Sequence, residues 1–237
     1  MMDIRACLFD VFGTVVDWRT SVSRDLAAFA KQKGITGIDW LEFAVEWRKL
    51  YQPSMDDVRS GRRAFTILDV LHRESLDKLI SRYRIKGLSE ADIEHMNRAW
   101  HRLDPWPDAV HGLTRLKSKF VIAPCSNGNI ALMVDMAKRA GLPWDCILGA
   151  ETARAYKPMP DAYLRSCAQI GLEPGSVMMV AAHNHDLKAA KAQGIKTAFV
   201  PRPAEHGPGQ ITDLTADSGC VDVPARDFID LAAKLGC

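Results

Sequence analysis

The 237-residue sequence contains no apolar run that approaches the ~20 residues of a membrane-spanning helix. Its six cysteines include no CxxC pair and no spacing typical of a metal site. The net charge is only +2, and the basic residues are dispersed rather than gathered into the stripe typical of a nucleic-acid interface. Internal repeats and low-complexity tracts are also missing. Membrane, metal-cluster, nucleic-acid-binding and repeat proteins are therefore disfavoured.

The composition that remains is typical of a globular protein with ample material for a core, at 47% hydrophobic and 25% charged residues. The length allows one large domain or two modest ones. Because Asp3 precedes an apolar run directly, we expect no signal peptide. Cys7, Cys125 and Cys146 lie in or beside apolar runs, which favours buried free thiols in a reducing compartment. We therefore expect a cytoplasmic protein.

Hydrophobic periodicity predicts a chain with two kinds of organisation. A short apolar run at 6–9 predicts a strand, and the segment 20–102 has helical spacing nearly throughout. After Pro105 strands and helices alternate, which predicts βαβ units. The expected fold class is α/β, with a doubly wound parallel sheet and an inserted all-helical cap. The predicted domains are a discontinuous core at 1–17 and 104–237 and a cap at 18–103.

Individual elements can also be assigned. In the cap, helical spacing covers 22–34, 40–53, 65–79 and 89–100, and Ser89 with Asp92 forms a capping-box pattern. In the core, strands are expected at 120–123, 146–148, 177–181 and 197–200, with helices at 108–117, 130–139, 161–170, 186–192 and 225–235. The segment 201–219 is rich in proline, glycine and polar residues, which predicts a loop.

Polar residues follow four of the predicted core strands. Since the carboxyl ends of parallel strands meet at one edge of a sheet, these residues should converge there, where ligands bind in open α/β folds. Asp10 follows the first strand and is either a nucleophile or an ordinary helix-capping or turn residue. The full set is Asp10 and Thr14, then Ser126 and Asn127, then Lys157, then His183, Asn184, His185 and Asp186.

The order of an aspartate, a Ser-Asn pair, a lysine and a final aspartate resembles the haloacid dehalogenase superfamily, a large group composed mostly of phosphatases. The resemblance extends over nearly the whole chain, including the cap insertion. It implies a Rossmann-like core in which Asp10 is the nucleophile and Lys157 is its charge partner. It further implies that Thr14 and Ser126 are polar neighbours of the nucleophile, and that Asp186 is the last acidic position.

Two departures from the phosphatase pattern favour a different leaving group. Phosphatases of the superfamily carry a general-acid aspartate two residues after the nucleophile, where this chain has Phe12, which cannot donate a proton. Their fourth motif holds Mg²⁺ through two carboxylates, and in 181–186 only Asp186 is acidic. Halide needs neither a general acid nor a metal to leave. The chain is thus most similar to the L-2-haloacid dehalogenase branch, and we expect no metal and no cofactor.

The strings FDVFGTVVD, SNG and YKP are similar to that branch as well. The resemblance implies that Asp10 attacks the Cα of a small 2-haloalkanoate and expels halide, which leaves an ester on the enzyme. Water then attacks the ester carbonyl and releases a 2-hydroxy acid of inverted configuration. Asp186 is the residue expected to position or activate that water. Two other functions stay open: a phosphatase of the same superfamily, and a non-catalytic binding protein.

The same resemblance assigns the substrate side of the pocket. Arg48, which follows Trp47 in the predicted cap, matches an arginine of relatives that would face the halide or the carboxylate; the alternative is a surface arginine. Asn127 is expected in the halide pocket. Tyr163 matches an active-site tyrosine but also fits a core position on a helix. Val11, Phe12 and Trp47 are expected near the substrate, or else in the core.

His183 stands where better-known relatives carry asparagine. It could position water differently, act in a His–Asp relay, or tighten the pocket for fluoride; alternatively His183 and Asn184 simply open the helix that contains Asp186. No role is assigned to His72, His95, His101, His111 or His206. Exposed apolar cap residues allow a homodimer, but no interface can be located from one sequence.

Overall fold

A computed structural model describes residues 3–237, so residues 1 and 2 of the predicted core lie outside the described part. The core is a six-stranded sheet in the order β5-β4-β1-β6-β7-β8, and each neighbouring pair is parallel. The predicted α/β fold with a parallel sheet is confirmed. The strands are β1 Ala6–Phe9, β4 Val121–Ser126, β5 Leu148–Gly149, β6 Val177–Ala181, β7 Lys196–Phe199 and β8 Val223–Pro224.

The central strand β1 is buried on both faces, as expected for a doubly wound sheet. Its alternating side chains divide between two hydrophobic clusters, with Cys7 and Phe9 in one and Ala6 and Leu8 in the other. The first cluster is covered by α6 (Ala109–Lys117), α7 (Ile130–Ala140) and α11 (Phe228–Lys234), and the second by α9 (Pro160–Gln169) and α10 (Asn184–Lys191).

Five α-helices and a 3-10 turn form the inserted segment. Asp17 caps α1 by accepting a hydrogen bond from the amide of Thr20, and Ser89 and Asp92 form the predicted capping box of α5. The helices are α1 Trp18–Lys33, α2 Trp40–Lys49, α3 Tyr51–Arg59, α4 Leu68–Arg82 and α5 Glu90–Asn97, followed by the 3-10 turn Arg98–His101.

The two chain crossings between this helical segment and the sheet lie side by side. The short strands β2 (Val16–Asp17) and β3 (Asp104–Pro105) pair antiparallel, with Asp17 opposite Asp104. The amide of Asp104 also donates to the hydroxyl of Ser21 in α1. This ribbon supports the domain boundaries at 17/18 and 103/104, which stay a prediction.

Differences from the predicted elements are local. The stretch 40–53 is two helices, because α2 ends before Leu50 and α3 begins at Tyr51. Pro53 lies in the first turn of α3, where the missing N–H of proline costs little. Strand β8 and the short helix α8 (Ala150–Ala153) were not predicted, since two to four residues carry no readable period. Within residues 3–237, no helix combines the length and hydropathy needed to cross a bilayer.

Candidate active site

Asp10 lies at the carboxyl end of β1 and is only 8% exposed. Its Oδ2 accepts a hydrogen bond from the Thr14 hydroxyl at 2.7 Å and lies 3.1 Å from Nδ1 of His183. Its Oδ1 accepts from Nζ of Lys157 at 2.9 Å. Burial alone would raise the pKa of this carboxyl, but the charge of Lys157 and the hydrogen bond from His183 outweigh it and hold the pKa well below its usual range. Asp10 is therefore a buried carboxylate that stays ionised.

Lys157 is a buried ammonium between two carboxylates. Besides Asp10 it donates to Oδ2 of Asp186 at 2.5 Å, and the other oxygen of Asp186 accepts from the Tyr163 hydroxyl at 2.5 Å. The backbone amide of Lys157 donates to Oδ1 of Asn127 at 2.8 Å, which fixes the lysine against the loop after β4. Burial lowers the pKa of Lys157, yet the two carboxylates raise it above the normal lysine value.

His183 is held between two carboxylates, and one of them comes from the loop 201–219. Its Nε2 lies 2.8 Å from Oε2 of Glu205, while Nδ1 faces Asp10. A ring with an acceptor at each nitrogen donates from both, so this side chain is an imidazolium. Burial opposes the charge, but the hydrogen bonds to Asp10 and Glu205 raise the pKa of His183 to about 10.

Glu205 is itself deeply buried, and its Oε1 accepts a hydrogen bond from the indole N–H of Trp18 at 3.1 Å. Burial raises the pKa of this carboxyl, and the hydrogen bond from His183 reverses the effect, so the net pKa lies below the usual glutamate value. The carboxylate also reaches the backbone of Gly13. A Cβ there would lie 2.0 Å from Oε1, and the φ of +88° also favours glycine.

Arg202 anchors the loop that carries Glu205. Its Nε donates to the carbonyl of Thr14 at 2.8 Å, and its two terminal nitrogens donate to the two oxygens of Asp108 at 2.7 and 3.0 Å. The guanidinium also lies 4.7 Å from the centre of the Phe228 ring. Arg202 is buried in this bidentate pair, which ties the loop to both the turn that follows Asp10 and the start of α6.

The cap contributes a cation without a carboxylate partner. Among residues 3–237, Arg48 forms no ion pair or hydrogen bond, and its Nη1 is buried. Its guanidinium lies 4.1 Å from the ring centre of Tyr51, 5.5 Å from that of Trp18 and 5.9 Å from that of Phe12. An aromatic frame stabilises the charge without neutralising it, so Arg48 can still pair with an anion in the cleft.

These groups line a cleft of about 500 Å³ between the sheet edge and the cap. The predicted site residues in its wall are Asp10, Phe12, Arg48, Asn127, Lys157, Tyr163, His183 and Asp186. Thr14 lies just behind the wall, where its hydroxyl also accepts from the amide of Ala182 at 2.9 Å.

Four expected site residues lie elsewhere. The Ser126 hydroxyl accepts from the amide of Gly128 at 3.1 Å and is not in the cleft wall. Val11 is buried in the core, and Trp47 is a cap-core residue whose indole donates to the carbonyl of His72. Asn184 is the first residue of α10, in agreement with the alternative that it opens this helix. Its side-chain amide donates to Asp213 and to the carbonyl of Thr215. Their direct contact with substrate is not supported by the geometry.

Sequence reasoning missed several residues of the cleft wall. Arg59 donates from Nη2 to the carbonyl of Lys157 at 2.5 Å and so joins cap and core. Glu205 had no signal other than its position in the loop. The wall residues without an expected role are Tyr51, Gln52, Arg59, Pro158, His185, Glu205, His206 and Asp213. Within the described chain, no three His, Cys, Asp or Glu side chains are grouped so that they could hold a metal ion.

The fold agrees with the proteins that this sequence resembles. A family model for haloacid dehalogenase-like hydrolases matches residues 4–194, and the chain belongs to this family. The crystal structure of a defluorinating L-2-haloacid dehalogenase, Rha0230, is 50% identical and superposes with a TM-score of 0.95, covering 99% of this chain and 96% of that one.

Two further relatives belong to the same branch. The crystal structure of the L-2-haloacid dehalogenase PA0810 is 46% identical with a TM-score of 0.94, and the match covers 98% of each chain. (S)-2-haloacid dehalogenase 4A of Burkholderia cepacia is 28% identical over 206 residues, which is 84% of each chain. The predicted resemblance to the L-2-haloacid dehalogenases is thereby confirmed.

Proposed function

We propose that this protein hydrolyses the carbon–halide bond of short (S)-2-haloalkanoates, with fluoroacetate among the candidate substrates. The products are a 2-hydroxy acid and halide, and the intermediate is an ester on Asp10. The observation that carries this proposal is an ionised, buried Asp10 with Phe12 in the cleft wall where a phosphatase needs a proton donor. The names of the relatives at 50% and 46% identity support the same reaction.

The alkylation step needs an ionised nucleophile and a place for negative charge. Lys157, Thr14 and His183 all donate to the Asp10 carboxylate and fix its orientation towards the cleft. Attack of this carboxylate on Cα forms the ester bond while the carbon–halide bond breaks, and halide leaves with the bonding electrons. Positioning of the two reactants in the cleft supplies much of the rate enhancement.

Arg48 is the group best suited to bind the substrate carboxylate or the departing halide. Its charge is unpaired within the described residues, and it faces the same cleft as Asp10. The Oδ1 of Asn127 is already occupied by the Lys157 amide, which leaves the Nδ2 donor for the substrate carboxylate or the halide. Together they provide the anion-binding side of the site.

The hydrolysis step needs a base for water, and the geometry favours His183 over Asp186. Both oxygens of Asp186 already accept short hydrogen bonds, from Lys157 and Tyr163. His183 instead reaches the nucleophile directly and has Glu205 behind it as an orienting carboxylate. Asp186 then serves as the second counter-ion of Lys157, and the expected role of Asp186 as base is assigned to His183.

Halide release from (S)-2-chloropropionate and from fluoroacetate, measured with EDTA present, tests the function. The wild type should release halide and the Asp10→Asn variant should not, and the better substrate reports the halide that the pocket prefers. Absence of release from both substrates would contradict the proposal, and phosphate esters with Mg²⁺ would then be the next substrates to assay. In ¹⁸O-labelled water, single turnover should place the label first in Asp10, because water attacks the ester carbonyl.

A cytoplasmic location and a homodimer also belong to this proposal. All six cysteines are free thiols in the structure, which suits a reducing compartment. Leu41 and Val70 of the cap are more than a third exposed, and a dimer interface could cover them. Size-exclusion chromatography with light scattering tests the dimer, and a monomer at all concentrations would exclude it.

A further inference from the structure

His183 presents a conflict if it acts as the base in hydrolysis. An imidazolium that already donates from both nitrogens has no lone pair to receive a proton. The structure places a carboxylate acceptor at each ring nitrogen, Asp10 at Nδ1 and Glu205 at Nε2, which favours this doubly donating form. The side chain must therefore lose one proton between the free enzyme and the hydrolysis of the ester.

We propose that esterification of Asp10 itself releases this proton, so that His183 becomes a base only when there is an ester to hydrolyse. This inference rests on the proposed function. Conversion of the Asp10 carboxylate to a neutral ester removes the anion that faces Nδ1, whereas Glu205 stays charged and keeps its hydrogen bond to Nε2. An imidazolium that loses one of its two neighbouring anions is a stronger acid, and the Nδ1 proton is the one that leaves.

The proton balance closes over the two steps. In the first step Asp10 gains the bond to Cα, halide departs, and the Nδ1 proton of His183 passes to solvent in the cleft. In the second step water forms a bond to Cγ of Asp10 and gives one proton to Nδ1, and the ester bond to the product oxygen then breaks with return of a proton to the 2-hydroxy acid from the water hydroxyl. The sum is one haloalkanoate and one water converted to one 2-hydroxy acid, one halide and one proton.

The geometry makes Nδ1 the correct atom for this role. It lies 3.1 Å from Oδ2 of Asp10, and that oxygen is bonded directly to the Cγ that water must attack. Glu205 fixes the other end of the ring at 2.8 Å, so loss of the Nδ1 proton leaves the Nε2–H tautomer with its lone pair towards Asp10. Glu205 is therefore a positioning residue, since it acts on the ester through His183.

Other charged groups surround His183 but do not replace Asp10 at Nδ1. The ring of His185 is centred 5.6 Å away, and burial with the nearby charge of His183 lowers its pKa, which favours the neutral form. Lys157 already pairs with Asp10 and Asp186. The charged or titratable groups that line the cleft with His183 are Asp10, Arg48, Tyr51, Arg59, Lys157, Tyr163, His185, Asp186, Glu205, His206 and Asp213.

The test uses replacement of Asp10 by a neutral residue as a stable mimic of the ester. Full-length wild type, Asp10→Asn and Asp10→Ala are labelled with ¹⁵N-histidine, and the protonation of each ring nitrogen is followed by NMR over a pH titration. A His183→Asn variant identifies the His183 signals among the seven histidines. Two neutral variants are made so that the result does not depend on the folding of one of them.

In the wild type both nitrogens of His183 should stay protonated through neutral pH. In the Asp10 variants its apparent pKa should fall by about 2 units, within the range for loss of one adjacent opposite charge, and the neutral form should carry its proton on Nε2. His101 is the internal control, because it lies between Asp69 and Asp135, away from the cleft wall, and its signals should not change.

A His183 pKa that is unchanged in both variants, or a neutral form protonated on Nδ1, would overturn the inference. The titration needs no turnover, so failure of the proposed reaction is detected separately by the halide-release assay. If the protein releases halide but the pKa of His183 does not shift, only the proposed proton release on esterification is refuted. If the protein releases no halide, the proposed function is refuted.

Discussion

Replacement of Glu205 by glutamine should separate the two chemical steps. The side-chain carbonyl can still accept from the Trp18 indole, but the amide then presents its NH₂ group to Nε2 of His183, where the wild type has an acceptor at 2.8 Å. His183 should become a neutral ring that accepts at Nε2 and carries its proton on Nδ1. Asp10 therefore keeps a hydrogen-bond donor and still attacks the substrate, while the lone pair needed for hydrolysis points away from the ester.

A correctly placed general base contributes about 10²- to 10⁴-fold, so hydrolysis of the ester should slow by about 10²-fold or more. Tenfold corresponds to ~1.4 kcal/mol, so the lower limit amounts to ~2.7 kcal/mol of lost transition-state stabilisation. Rapid-quench measurement should find halide released at about one per active site, followed by a slow phase, and intact-protein mass spectrometry should find the ester.

Glu173→Gln, the same chemical change at an exposed position, is the matched control and should behave like the wild type. Two outcomes would refute the reasoning for Glu205. One is a steady-state rate equal to that of the wild type, because the carboxylate would then have no part in hydrolysis. The other is a variant that releases no halide in the first turnover, because the defect would then precede the ester.

Three further predictions concern charge and backbone. Lys157→Met should abolish halide release and lower the free energy of unfolding at neutral pH by about 3–5 kcal/mol, because two buried carboxylates lose their shared counter-ion; chemical denaturation that shows a stable variant would contradict this. Gly13→Ala should slow ester hydrolysis by displacing Glu205, whereas Gly37→Ala, also at positive φ but with nothing within 4 Å of the added Cβ, should show only the ~1–2 kcal/mol of backbone strain. His101→Gln should destabilise the protein most at low pH. The two carboxylates raise the pKa of His101 in the fold, so its contribution is full below the unfolded pKa and is lost as pH rises through the folded pKa; a difference in unfolding free energy that grows between about pH 6 and 9 would contradict this.

The fold was predictable where an element is long enough to show a periodic pattern of apolar residues. Strand β6 has the predicted bounds, and the helical cap follows from apolar spacing over four successive stretches. The convergence of polar residues at the sheet edge was predictable for the same reason, since a parallel sheet aligns the ends of its strands. Asp10, Lys157 and His183 therefore meet although 147 residues separate the first two.

The contribution of the loop 201–219 could not be predicted. Charged residues in a segment rich in proline and glycine usually face solvent, and no period distinguishes Arg202 and Glu205 from their neighbours. Both are buried because tertiary contacts satisfy them, Arg202 through Asp108 and Glu205 through His183 and Trp18. Such pairs join residues that are far apart in sequence and depend on the packed structure.

The charged groups of the site determine which of its side chains can exchange a proton during the reaction. Three buried carboxylates, those of Asp10, Asp186 and Glu205, face the cations Lys157 and His183, and Arg48 supplies a third positive charge. These six charges balance before substrate binds. A haloalkanoate adds one negative charge through its carboxylate, and the departing halide carries away the charge that Asp10 loses when it becomes an ester. Arginine side chains in general stay protonated at physiological pH, and two carboxylates raise the pKa of Lys157. Once Asp10 is esterified, the imidazolium is therefore the only one of the three cations that can give up a proton near neutral pH and take it back from water.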